Sequence, residues 1–141
     1  MVDISGKPPE FREAVAEGFI RLRRGTVEAI RRRKVEKGDV ISVAQTAAIL
    51  AIKRTPELVP LAHPIPITGA EVDFKIERGG LRVRVTVRSD ARTGVEMEAL
   101  AGVASALLTV WDMVKGLEKD ERGQYPETLI EGIRVLRKVK G

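Results

Sequence analysis

The sequence predicts an α+β fold, in which helices cover one face of a mainly antiparallel β-sheet. Two patterns support this prediction: apolar and polar residues alternate with the period of a strand in several segments, and they recur with the period of a helix in others. The 141 residues suit one domain, and neither an internal repeat nor a Gly/Ser linker divides the chain. We therefore expect a single domain over residues 1–141.

The first element is a strand over residues 12–23, where apolar and polar side chains alternate. A short helix is expected after Gly25, with Thr26 as its N-cap. The basic run of residues 31–34 would end that helix, since cations complement the negative end of the helix dipole.

A second helix is predicted from Asp39, whose carboxylate suits an N-cap, to Thr55, where the following proline disfavours helical geometry. Its apolar residues cover more than one side, so we expect it to be buried. Residues 56–66 then contain four prolines, at 56, 60, 64 and 66, which predicts a stiff extended segment.

A β-hairpin is the clearest pattern in the chain, because residues 71–77 and 81–88 both alternate with a period of two. The intervening Gly79 and Gly80 are expected to supply left-handed turn positions. One face of the hairpin is apolar, and the other carries opposite charges that can pair across the strands.

A long helix over residues 94–118 and a closing strand near residues 133–139 complete the predicted elements. The helix has one core stripe at helical spacing and a second apolar stripe beside it, made of Met97, Ala101, Ala104, Leu108 and Trp111. We expect the second stripe to pack on another subunit, since exposed apolar surfaces of that size are rare on monomers. The element order fits a ferredoxin-like sandwich.

Composition narrows the function classes. Apolar residues make up 43% and charged residues 32%, which supports a real core and excludes wholesale disorder. The chain has no Cys and one His, so disulfide scaffolds and thiolate or His-rich metal sites are excluded, and we expect no metal.

The net charge of +5 favours an anionic partner, either a phosphate ligand or nucleic acid. Neither a membrane-length apolar run nor a secretory leader pattern is present, so we expect a soluble cytoplasmic protein without membrane contact.

His63 lies between prolines in the segment Leu61-Ala62-His63-Pro64. One interpretation is a surface histidine in a rigid turn. The other is a substrate-binding or acid–base group whose backbone is fixed in advance.

A polar strip runs down the long helix, and within it Asp112 and Lys115 are three residues apart, close enough to pair. This pair is either a surface salt bridge or an acid–base couple at a cleft. At the start of the same helix, Glu96 and Glu98 either complement the helix dipole or accept hydrogen bonds from a guanine-like ring.

Six sequence blocks, in order and at similar spacing, resemble one family: residues 1–4, 37–40, 51–55, 58–64, 92–100 and 108–115. The most specific of them reads Thr-Gly-Val-Glu-Met-Glu-Ala-Leu. The resemblance covers nearly the whole chain, and the family is that of the cyclic pyranopterin monophosphate synthases, also called molybdenum cofactor biosynthesis protein C.

The resemblance implies a lyase of molybdenum cofactor biosynthesis. Such an enzyme converts 3′,8-cyclo-7,8-dihydroguanosine 5′-triphosphate to cyclic pyranopterin monophosphate and releases pyrophosphate, without a redox cofactor. The catalytic residues implied at matched positions are Asp112, Lys37 and Lys115. The implied substrate-binding residues are Leu61, Ala62, His63, Met97, Glu98, Glu96, Arg12, Lys53 and Lys138. The family is ferredoxin-like and forms a homohexamer built as a trimer of dimers.

The chain departs from the family pattern at three places. Ala62 replaces a common cysteine, so no thiol acts there. Trp111 replaces a common tyrosine beside Asp112, which we expect to change packing rather than chemistry. The chain ends at Gly141 after a longer connector, without the family's usual glycine-rich tail.

Two rival classes are a ferredoxin-like RNA-binding module and a regulatory ligand-binding module. The strands offer only Phe19 and Phe74 for base stacking, and acidic residues lie near the arginines, which disfavours RNA binding. A regulatory domain does not explain the Asp112 and Lys115 pair on an apolar helix.

Overall fold

A computed structural model describes residues 1–141 and shows four strands and four helices. The strands are β1 (Glu10–Arg21), β2 (Ile67–Glu77), β3 (Gly80–Ala91) and β4 (Leu129–Lys140). The helices are α1 (Arg24–Arg31), α2 (Val40–Lys53), α3 (Thr55–Leu58) and α4 (Glu96–Glu118).

The strands form one sheet in the order β2-β3-β1-β4, and each neighbouring pair is antiparallel. The helices pack on the sheet, so the predicted α+β class is confirmed. With α1 and α3 as additional short helices on either side of α2, the remaining elements follow the βαββαβ order of ferredoxin-like folds.

The side chains of β1 alternate between the two faces of the sheet. Ala14, Ala16 and Ile20 are fully buried in the core shared with the helices, whereas the intervening side chains face the other side. Gly18 lies where α4 approaches most closely: a Cβ atom there would be 2.7 Å from Cγ1 of Val103. The missing side chain therefore lets α4 lie close to β1.

The hairpin turn forms at Arg78 and Gly79, as the periodicity predicts. The expected role of the glycines is only partly right, because Gly80 alone of the pair has a positive φ. A Cβ atom at Gly80 would lie 1.8 Å from the carbonyl oxygen of Ile20. Glycine is therefore required at this position by the close approach of β1.

The two predicted helix caps have different outcomes. Asp39 caps α2 as expected, because its Oδ1 accepts a hydrogen bond from the Ser42 amide at 3.1 Å. The N-cap assigned to Thr26 is wrong: α1 begins at Arg24, and the Thr26 hydroxyl donates to the buried carboxylate of Glu118. The Thr26 hydroxyl therefore donates its hydrogen bond to a carboxylate of a distant helix and does not cap α1.

The expected extended segment after α2 is also wrong at its start, since Thr55–Leu58 forms one helical turn, α3. Pro56 is tolerated there because amides in the first turn of a helix need no partner within the helix. The Thr55 hydroxyl donates to the carbonyl of Ala51 at 2.9 Å, which links the turn to α2. Residues 59–66, which include His63, form no helix or strand.

α4 is the central helix of the core. By length and hydropathy it could cross a membrane, but half of its most apolar stretch is buried inside the fold. Its outer side borders an open apolar groove, in which Met97 is 43% and Leu108 62% exposed. The groove is lined by Leu58, Val59, Met97, Leu100, Ala101, Ala104, Ser105, Leu108 and Ile133.

Candidate functional site

Lys37, Asp112 and Lys115, which we call the Asp112 cluster, come together at the C-terminal end of α4. Lys115 Nζ lies 3.1 Å from Oδ1 of Asp112, one helical turn away. Lys37 approaches from the connection between α1 and α2, and its Nζ lies 3.3 Å from Oδ2 and 3.1 Å from the carbonyl oxygen of Asp112. The structure thus brings together the three residues predicted to be catalytic.

The electrostatics of the Asp112 cluster are those of an accessible ion triplet. Hydrogen bonds from Lys115 and Lys37, with their charges, lower the pKa of Asp112 below its ordinary value of 3.8. The hydrogen bond and charge of Asp112 in turn raise the pKa of Lys115 above 10.5. The Asp112 side chain is 60% exposed. A charged carboxylate and two ammonium groups therefore face solvent, within reach of a ligand.

Arg12, Glu96 and Lys138, which we call the Glu96 cluster, lie at the opposite end of α4. Lys138 Nζ is 2.9 Å from Oε1 of Glu96. The guanidinium of the buried Arg12 donates to the carbonyl of Ala91 at 3.3 Å and lies 3.6 Å from Glu10. Burial alone would raise the pKa of Glu96, but the Lys138 hydrogen bond, the helix amide and the two cations lower it.

Glu98 lies one position beyond Met97 in the first turn of α4 and is only 3% exposed. Burial raises its pKa, and the negative charge of Glu96 adds to the effect. Met97 is exposed beside it. The two neighbouring glutamates therefore differ in character, since Glu96 favours the ionised form and Glu98 favours the protonated form more than a free carboxyl does.

His63 lies in another environment. Its Nε2 is 2.7 Å from the carbonyl oxygen of Val2, to which it donates, and Arg92 lines the same surface depression. Leu61 is 69% exposed, and Ala62 packs in a turn against Val59, whose carbonyl accepts from the Ala62 amide.

Within one chain, the structure does not bring His63 to the Asp112 cluster. Lys53, the last residue of α2, is exposed. α2 runs antiparallel to α4, since its Ala47 carbonyl accepts from Ser105 while Lys37, before its start, contacts Asp112. Lys53 therefore belongs to the same end of α4 as Glu96.

Glu118 is a buried carboxylate that the sequence reasoning missed. It is fully buried and accepts hydrogen bonds from the Arg23 amide at 3.0 Å, the Thr128 hydroxyl at 2.6 Å and the Thr26 hydroxyl. A glutamate at the end of an amphipathic helix is usually solvated, so the sequence carries no signal for this burial.

The outer face of the sheet carries paired charges. Glu17, whose side chain is 8% exposed, lies 3.1 Å from Arg134 and 3.6 Å from Arg82. The Arg82 guanidinium also lies over the ring of Phe19 at 5.0 Å. This face therefore forms an ion-pair network, and its aromatic ring is covered by an arginine.

No group of three or more His, Asp or Glu side chains is close enough to hold a metal ion. The charged groups of α4 instead form two mixed clusters of carboxylates and cations, the type of arrangement that binds anions and moves protons.

Comparison with known proteins matches this chain to the MoaC family over residues 1–141. The chain belongs to the MoaC family.

Relatives of high identity match over their whole length or nearly so. One from Archaeoglobus fulgidus is 62% identical over 141 residues, which cover 100% of this chain and 90% of the relative. One from Aeropyrum pernix is 63% identical over 141 residues, which cover 100% and 97%. Both have the curated name "Probable cyclic pyranopterin monophosphate synthase". A third, from Methanothermobacter thermautotrophicus, is 56% identical over 140 residues, covering 99% and 88%, and its name adds "accessory protein".

Proposed function

We propose that this protein is a cyclic pyranopterin monophosphate synthase, a lyase of molybdenum cofactor biosynthesis. Its substrate would be 3′,8-cyclo-7,8-dihydroguanosine 5′-triphosphate, and its products cyclic pyranopterin monophosphate and pyrophosphate. Membership of the MoaC family and the names of the relatives support this assignment. The structural observation that carries it is the Asp112 cluster, which joins residues from separate parts of the chain in one exposed group.

The Asp112 cluster has the groups that the reaction needs. Opening the imidazole ring and rebuilding it as a pyranopterin requires proton transfers, which Lys37 and Lys115 can provide as acid and base. Closure of the cyclic phosphate forms a new P–O bond at the α-phosphorus and breaks the bond to the leaving pyrophosphate. Ammonium groups stabilise the negative charge on that leaving group, while Asp112 orients both lysines through its hydrogen bonds.

The Glu96 cluster and its neighbours would bind the substrate rather than transform it. Lys138, Arg12 and Lys53 provide positive charge for a triphosphate. Glu96 and Glu98 are acceptors for the donor groups of a guanine-derived ring, and Glu98 can also donate when it is protonated. Leu61, Ala62 and His63 would complete the pocket.

The distance between the clusters indicates a site built from two copies of the chain. Asp112 lies sixteen positions after Glu96 in a straight helix, a distance of about 24 Å, so the two groups cannot both contact the same reacting atoms within one chain. Ala104 lies midway between them in the apolar groove. A twofold axis near Ala104 would place the Glu96 cluster of one copy beside the Asp112 cluster of the other.

This packing would also cover the groove, whose exposed Met97 and Leu108 are unusual for a monomer surface. We therefore propose a soluble cytoplasmic homohexamer built as a trimer of dimers. Sedimentation should show a dimer at least, and most of the protein as a hexamer. A stable monomer at micromolar concentration would contradict the assembly and, with it, the shared site.

The activity test is direct. Purified protein incubated with the cyclised nucleotide should release pyrophosphate and form the cyclic pterin. Lys34→Ala is the matched control for Lys37→Ala, because Lys34 is an exposed lysine in the same connection without an ion pair to Asp112. Absence of product from well-folded protein would rule out the proposed function.

A second candidate is an accessory role in the same synthesis, which the name of the Methanothermobacter relative favours. The same assay separates the two. Product formed by this chain alone supports the synthase, whereas product formed only when another protein is added supports the accessory role.

A mixing experiment tests the shared site. Asp112→Asn and Lys138→Ala should each be nearly inactive alone. Mixed dimers would contain one site with both changes and one with neither, so randomly mixed subunits should recover about a quarter of wild-type activity. Activity no greater than the sum of the two parents would show that each chain carries its own complete site.

A further inference from the structure

The connector between α4 and β4, residues 119–128, contains Tyr125, the only tyrosine of the chain. Tyr125 packs edge-to-face on Trp111, with ring centroids 5.2 Å apart and an angle of 67° between the planes. Trp111 directly precedes Asp112, and Lys115 lies four residues after Trp111 on the same face of α4. The aromatic pair therefore lies beside the Asp112 cluster, although the connector had no assigned role.

The connector is held by hydrogen bonds at both of its ends. At its start, Oδ1 of Asp120 accepts from the Arg122 amide at 2.8 Å and the Gln124 amide at 2.9 Å. Gly123, with φ of 74°, allows this turn to close. At its end, the Thr128 hydroxyl donates to the buried Glu118 at 2.6 Å. The position of Tyr125 is thus fixed by a built turn on one side and by a core contact on the other.

Tyr125 is linked to Lys115 through Trp111, on which its ring packs and which lies one helical turn before Lys115 in α4. The pKa of Lys115 is raised mainly by the hydrogen bond and charge of Asp112, and Tyr125 contributes in the same direction. A lysine side chain has a four-carbon stem with rotatable bonds, so it loses much rotamer freedom when it is held in one geometry. A neighbouring aromatic wall that limits the rotamers of Lys115 before the substrate arrives would reduce that cost.

We propose that Tyr125 is a positioning residue of the active site: its ring, held on Trp111 by the connector, restrains Lys115 beside Asp112. The effect depends on the ring and its packing, not on the hydroxyl. This inference rests on the proposed function for its kinetic consequence, but its structural part does not need substrate.

The first test follows Trp111, which is the only tryptophan of the chain, so its fluorescence reports this environment alone. Tyr125→Ala and Tyr125→Leu should shift its emission to longer wavelength and increase its quenching by acrylamide. The acetylation of Lys115 by acetic anhydride can be followed by mass spectrometry, with Lys75 as the internal reference. In Tyr125→Ala and Tyr125→Leu it should be severalfold faster than in the wild type. Tyr125→Phe should match the wild type in both measurements.

The second test is kinetic. Tyr125→Ala and Tyr125→Leu should lower kcat by roughly 10- to 10²-fold, as expected for a misplaced catalytic group, with little change in KM. Tyr125→Phe should restore kcat, and Gln124→Ala, a change in the same connector, should have wild-type values.

Three outcomes would overturn the inference. The first is that kcat and Lys115 labelling are unchanged in Tyr125→Ala. The second and third are that Tyr125→Phe or Gln124→Ala is impaired as strongly as Tyr125→Ala. If the wild type forms no product, the proposed function fails by itself, and the fluorescence and labelling still decide whether Tyr125 restrains Lys115.

Discussion

Two carboxylates near the C-terminal end of α4, Asp112 and Glu118, have opposite environments. The Asp112 side chain is 60% exposed, and its partners are the ammonium groups of Lys37 and Lys115. Glu118 is fully buried, and its partners are hydroxyl groups and a backbone amide without net charge. Six residues of one helix thus separate two kinds of polar contact.

The two environments indicate different roles for the two carboxylates. Exposed ion pairs contribute little to stability, so folding does not require the Asp112 cluster. A buried carboxylate with satisfied donors is different, because loss of the acceptor leaves those donors without partners in the core. Glu118 therefore serves the fold by joining α4 to α1 and to the connector, while Asp112 is free to serve a ligand.

Asp112→Asn gives the largest expected effect. The change keeps the size of the side chain but removes the charge that orients the two lysines. Turnover should fall by about 10²–10⁴-fold, the usual contribution of acid–base catalysis. The free energy of unfolding, measured by urea denaturation, should hardly change.

Lys37→Ala should resemble Asp112→Asn, and Lys34→Ala should be nearly silent. If Asp112→Asn keeps normal turnover, the cluster is only a surface salt bridge. If its loss of activity is matched by a loss of stability, Asp112 is structural and the contrast with Glu118 disappears.

Glu118→Ala should have the reverse profile. It leaves the Thr26 and Thr128 hydroxyls and the Arg23 amide without their acceptor, which costs about 1–3 kcal/mol of unfolding free energy. Turnover per folded molecule should fall much less than in Asp112→Asn. Glu121→Ala, an exposed change in the connector, serves as the control and should be neutral in urea denaturation. A neutral Glu118→Ala would refute the structural role.

The elements of the fold could be predicted because hydrophobic periodicity reflects which face of each element is buried. The hairpin and α4 follow directly from that pattern. The cap of α1 could not be predicted, because Thr26 bonds to Glu118, 92 residues away. Local propensity contains no information on a partner that only the tertiary fold supplies.

The candidate site divides in the same way. The contact of Asp112 with Lys115 follows from helix geometry, since residues three apart are neighbours. The arrival of Lys37, 75 residues from Asp112, was expected only through the family resemblance. Tyr125 gave no signal at all, because it lies in a connector without periodicity and contacts Trp111 only after folding.

A change in the pKa of Lys115 tests whether Asp112 and Glu118 act independently. Asp112 raises the pKa of Lys115, so the pair adds stability that is complete below pH 10.5 and is lost as the pH rises through the folded value. The lowered pKa of Asp112 works in the opposite direction: its contribution to stability is complete above pH 3.8 and is lost as the pH falls through the folded value.

In Asp112→Asn the pKa of Lys115, followed by NMR of labelled lysine, should therefore move down towards 10.5. Glu118→Gln should leave the Lys115 titration unchanged, because Glu118 is not among the groups that act on it. An equal shift in both variants would mean that the two carboxylates form one electrostatic unit, and that exposure does not separate their roles.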